Sequence, residues 1–79
     1  MQDYQPIACI LHERLEFSVL RRIPLMLEYR RFDECLKVRV MPLDVVTRNG
    51  AEWLKFQKPD GSREKIRLDR IISFEEVLS

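Results

Sequence analysis

Glycine is almost missing from this chain, with two in 79 residues, and both stand in segments that read as turns, Asn49-Gly50 and Asp60-Gly61. A phosphate-cradling loop needs several close-spaced glycines whose backbone can approach the ligand. None can be built here. Histidine is scarcer still, with His12 alone, and the two cysteines, Cys9 and Cys35, lie 26 positions apart without a CxxC pair or a paired zinc spacing. No metal or cofactor is therefore expected. A disulfide between the cysteines is one possibility, but a reducing compartment favours two free, structural thiols.

An excess of one charge is missing too. Fourteen Lys and Arg stand against thirteen Asp and Glu, a net charge of +1, so no whole-molecule field draws the chain onto nucleic acid. No apolar run approaches the ~20 residues that cross a bilayer, and the opening "MQDYQPI" lacks the basic-then-apolar layout of a secretory signal. The expectation is a single soluble, cytoplasmic domain with no membrane contact. At this size folding hides about 60% of the extended chain's surface.

What is present is periodic. Residues 1–9 contain Pro6 and neither period, and read as an extended lead-in. From about Ile10 to Arg21, Leu11, Leu15, Ser18 and Val19 recur at helical spacing, and Pro24 ends the helix. The period then becomes two. Leu25, Leu27 and Tyr29 form one alternating set and, after "RFDE", Leu36, Val38 and Val40 form the next. Pro42 cannot donate to a ladder and marks a bend, bulge or edge before Leu43–Thr47. Asn49-Gly50 is a strong hairpin signal, because a type I′ turn needs positive φ at both central residues. Ala51–Lys58 follows, then the turn "KPDGS", a strand over Arg63–Arg70 and a short last strand through Ile71, Ile72 and Phe74. One helix and about five short antiparallel strands predict a mainly β fold with one N-terminal helix, a small partly open barrel of the Sm-like or SH3-like type.

Catalysis has little to work with. His12 has Glu16 at i+4 and Cys9 three positions before it, and reads as a surface residue beside a carboxylate, so no enzyme is expected. Two binding surfaces can be drawn. His12, Glu13 and Glu16 are expected on the helix side away from Leu11 and Leu15, where acidic groups near the N-terminus also suit the helix dipole. On the sheet, Lys37, Arg39, Lys55, Lys65 and Arg67 could form a basic ladder for phosphates. Trp53 is the only clear stacking aromatic there, so a solvated outer face is the simpler reading and direct nucleic-acid binding is not expected.

Five segments, "YQPIxC" (Tyr4–Cys9), "RLE" (Arg14–Glu16), "RIPLML" (Arg22–Leu27), "DVVTRNGAEWL" (Asp44–Leu54) and "IRLDRIISF" (Ile66–Phe74), occur in an order and spacing that resembles the Rho-binding antiterminators of the Rof or YaeO type. The resemblance implies a bacterial cytoplasmic protein with an Sm-like fold and no catalysis, a monomer when free. It implies binding to the RNA-loading N-terminal domain of the hexameric termination factor Rho, which hinders transcript capture and reduces termination. Carried over by position, the partner-binding residues are His12, Glu13 and Glu16 on the helix and Arg48 and Asn49 at the hairpin corner. Relatives typically carry Asp on both sides of the Cys where this chain has Ala8 and Ile10, and often Tyr in place of His12. Either the contact then rests on Glu13, Glu16 and the apolar Ile10 and Phe17, or the partner differs.

Overall fold

The computed structural model describes residues 9–77. Helix α1 (Cys9–Arg21) is followed by β1 (Leu25–Arg31), β2 (Glu34–Arg48), β3 (Ala51–Gln57), β4 (Arg63–Arg67), a 3-10 turn (Leu68–Arg70) and β5 (Ile71–Glu76). The expected extended lead-in falls outside the described residues except for Cys9, which instead starts α1. Cys35 is an exposed free thiol rather than a structural one. No described helix is long and apolar enough to cross a membrane.

The helix ends before Pro24 is reached. Arg22 takes a left-handed φ of 55°, its N–H donates to Val19 O at 3.2 Å and the Ile23 N–H donates to Ser18 O at 3.0 Å. That pair of bonds closes the helix in a Schellman turn, normally a glycine's task. Leu15 and Ser18 are fully buried beneath α1, and the Ser18 hydroxyl donates to Arg14 O at 3.1 Å, so the buried hydroxyl is satisfied. Leu11 departs from the expected pattern: it is exposed and lines a small apolar hollow with Ile72 and Phe74.

The strands form one antiparallel sheet in the order β4-β3-β2-β1-β5. The two edge strands are not paired with each other, so the barrel stays open, as expected. Strand β2 is one long strand where the pattern implied two. Its first half pairs with β1 from Glu34 to Val40, its second half with β3 from Met41 to Arg48, and the register slips between Pro42 and Asp44. Proline's missing donor falls at that irregularity and lets a single strand serve both halves of the curved sheet. At the other end, the alternating pattern continues past Arg67, but Leu68–Arg70 turns as a 3-10 segment and buries Leu68.

Side chains alternate as the period of two requires. Leu25, Leu27 and Tyr29 of β1 meet Leu54 and Phe56 of β3 in the core. The rings of Tyr29 and Phe56 lie edge to face, 5.6 Å apart at 61°, the arrangement their quadrupoles prefer. Burial, with help from the Glu64 carboxylate, pushes the Tyr29 phenol above its ordinary value. The fold thus favours the neutral phenol. This contribution is complete below the unfolded tyrosine value of about 10 and is lost as pH rises above it. Urea midpoints taken at about pH 9 and pH 11 should therefore fall further for the native chain than for Tyr29→Phe; equal falls would clear the phenol of any part.

Candidate functional site

The helix and the β2–β3 hairpin are joined through one side chain. Nδ1 of His12 lies 3.0 Å from Glu16 Oε1, one helical turn on, while Nε2 is hydrogen-bonded to Glu52 Oε2 on β3. The His12 side chain is only 24% exposed, against 56% for Glu16. His12 is thus drawn in toward the sheet, correcting the expectation that it shares an outward face with Glu13 and Glu16. Its work is to fasten α1 to β3. A second fastening lies two residues on, where the Arg14 guanidinium sits 5.4 Å above the Phe74 ring.

Glu13 and Glu16 remain on the surface. The first turn of α1 holds no acidic residue, so these carboxylates are not stabilisers of the helix N-terminus, contrary to the simpler reading. Around them the helix shows unusual apolar exposure: Ile10 67%, Phe17 48% and Leu20 78%. Glu16, Val19 and Leu20 face Asp44 and Val45 of β2 across a hollow of about 270 Å³. The rim is mixed, since the Arg21 guanidinium sits 5.3 Å from the Phe17 ring centroid; exposed apolar groups bordered by charged ones on a small domain are the composition of a protein-docking surface.

The corner itself has the expected geometry, with Asn49 at φ 53° and Gly50 at φ 76°. Arg48 and Asn49 are exposed. In the register, Glu52 pairs with Thr47 and Ala51 with Arg48, so the carboxylate that holds His12 is one pair from the corner. The helix and the corner are therefore close along β3, but Arg48 itself lines a hollow with Trp53, Lys55 and Lys65, on the face opposite to the one Glu52 serves; Glu52 is the residue that sequence reasoning missed. It did leave a signal, since it shares the core-facing period of Leu54 and Phe56, where a carboxylate needs a partner.

The basic ladder is divided in two. Lys37 pairs across from Glu28 and Arg39 from Met26 on β1, whereas Lys55 faces Lys65, and Trp53 faces Arg67, across β3 and β4. Successive residues of a strand point to opposite faces, so Trp53 turns away from the helix side that Glu52 serves. Acidic and basic groups are thereby sorted onto the two faces of β3. Among the described residues no group of three or more His, Cys, Asp or Glu could hold a metal ion.

No family model matches the chain and no curated protein is significantly similar to it. Among solved structures, it is similar to part of the proteasome accessory factor B/C (PafBC) of Arthrobacter aurescens, with a TM-score of 0.77 over 91% of this chain at 20% identity. The matched part is 12% of that much longer chain. At this identity the likeness is one of fold alone. It places the helix and open five-stranded sheet among architectures already seen.

Proposed function

We propose that this chain binds the RNA-loading domain of Rho through α1 and the β2–β3 corner and so hinders capture of the transcript. The reading rests on the five sequence segments that resemble Rho-binding antiterminators. The observation that supports it best is that Glu13 and Glu16 are exposed beside apolar Ile10, Phe17 and Leu20 on a helix that His12 fastens, through Glu52, to the strand next to the Arg48-Asn49 corner. A groove that holds RNA phosphates is basic, and carboxylates fixed on a helix can make charge-assisted hydrogen bonds to it. Exposed apolar side chains beside them supply the area that charge alone does not. Arg48 offers a planar fork to a carboxylate or carbonyl of the partner.

The same arrangement answers the departures at Ala8 and Ile10. Ile10 is largely exposed, and it contributes apolar contact where relatives bring charge. Asp44 adds an exposed carboxylate from the sheet. The test is Rho's RNA-stimulated ATPase activity, which the purified chain should lower in a dose-dependent way. Undiminished ATPase at a large excess of the chain would reject the reading.

A further inference from the structure

A second concave surface lies where the β1–β2 turn meets β4. An open groove of about 580 Å³ lies between the β1–β2 turn and β4, with Trp53 and Ile66 in its lining. Its cations are Arg30, Arg31, Lys65, Arg67 and Arg70. Two of these are engaged, Arg31 with Glu64 at 3.1 Å and Arg67 with Asp69 at 3.0 Å. Arg30, Lys65 and Arg70 have no carboxylate partner among the described residues, and the groove lining offers one carboxylate, Asp33. A chain of net charge +1 thus concentrates uncompensated positive charge in one place. Those two ion pairs relieve part of the repulsion, and Asp69 lies with Arg30 and Arg70 around an adjoining hollow, but a local excess of positive charge remains for an anion to meet.

Flat rings accompany the charge. Phe32 stands at the groove's mouth, 90% exposed, in a left-handed conformation with φ 54° that is rare for an aromatic residue. The two-residue turn Phe32-Asp33 would be easier to form with Asn or Gly, so an exposed ring held there at a cost in strain is better explained by contact than by folding. At the floor, the Lys65 ammonium sits 5.4 Å from the Trp53 ring centroid, and the indole N–H is buried without a partner among the described residues. Trp53 and Lys65 also line a second hollow with Arg48 and Lys55. Cations therefore follow a path from Arg70 and Arg30, past Trp53, to the hairpin corner.

We infer that this path binds single-stranded nucleic acid, with phosphates on Arg30, Arg70 and Lys65 and a base stacked on Phe32. Guanidinium forks suit phosphate oxygens. Flat rings interleaved with cations along an open track are what a strand with exposed bases requires. An acidic peptide would use the charge and leave the rings idle, and a duplex would offer no base face to stack. The expectation that direct nucleic-acid binding is absent rested on the net charge and on a lone aromatic. The groove bears on both premises, because it gathers cations in one place and is lined by Phe32, a turn residue, as well as by Trp53.

The test is titration of the full chain into a labelled single-stranded RNA of about twelve nucleotides, read by anisotropy and by the emission of the chain's only tryptophan. Binding should weaken with salt at a log–log slope of about −2, for about three phosphates neutralised. Arg30→Glu with Arg70→Glu should weaken it at least tenfold. Phe32→Ala should weaken it about fivefold or more without lowering the melting temperature, since no buried contact is lost. Uridine monophosphate, duplex RNA and polyglutamate should each bind at least tenfold more weakly. Absence of RNA binding, equal binding of polyglutamate, equal binding of the mononucleotide, or indifference to the arginine reversals would each overturn the inference. The assay contains no Rho, so its failure leaves the proposed function standing.

Discussion

Phe56→Ala is expected to leave little folded protein at room temperature. The Phe56 ring is fully buried, it packs edge to face on Tyr29, and it sits opposite Pro42 at the irregularity where β2 passes from one half of the sheet to the other. Truncating a buried phenylalanine removes about 3–5 kcal/mol through lost transfer energy and the cavity left behind. A domain of 79 residues has roughly 4–12 kcal/mol in total. At the lower end the loss equals the whole, and relaxation cannot help much because the proline opposite is rigid. Urea unfolding should show a midpoint near zero, or a far-ultraviolet spectrum already lacking strand signal. A decrease below about 1 kcal/mol would mean that the two halves of the sheet are not held by this contact. As a contrast, Ile72→Ala removes a half-exposed side chain on β5 and should stay within about 1 kcal/mol of the native chain.

The second large effect concerns binding. Replacing Glu13 and Glu16 together by lysine is expected to weaken association with Rho by about 1–3 kcal/mol, roughly 5- to 150-fold. Under the proposed function, removing two carboxylates from a basic groove forfeits charge-assisted hydrogen bonds, and the introduced cations then repel it. Folding should be affected much less. Glu13 carries no ion pair among the described residues, and Glu16 is over half exposed, so its pairing with His12 is partly screened. His12 also keeps its bond to Glu52. An unchanged melting temperature with weakened binding is the expected combination. Unchanged affinity would remove both residues from the contact.

How much of this could be read in advance differs by element. The two periods, 3.6 then 2, are set by which side chains must leave water, so the helix, the succession of strands along the chain and the alternating set Leu25, Leu27 and Tyr29 were legible. The Asn49-Gly50 corner was legible because few residues accept its backbone angles. Local pattern failed where tertiary contact decides. Alternation runs unbroken through Leu68, yet the chain turns there to bury that leucine, which pays no attention to the period of its neighbours. Nothing local distinguishes one long β2 from two strands, because Pro42 is compatible with either.

The site was legible only in part for the same reason. Glu13, Glu16, Arg48 and Asn49 are surface residues whose exposure follows from position in their own element. His12 is not, since its partner Glu52 is forty residues away and α1 must dock before the two can meet. The grouping of Phe32 with Trp53 likewise depends on how the β1–β2 turn lies beside β4, a relation with no local signature.

The most direct measurement for the account as a whole is titration of the full chain into Rho, without RNA and with Rho's RNA-loading sites saturated by a short pyrimidine-rich RNA. Binding through the acidic helix and the hairpin corner predicts a saturable isotherm in the first case and an apparent affinity at least tenfold weaker in the second. No isotherm without RNA, or the same affinity in both, would contradict it.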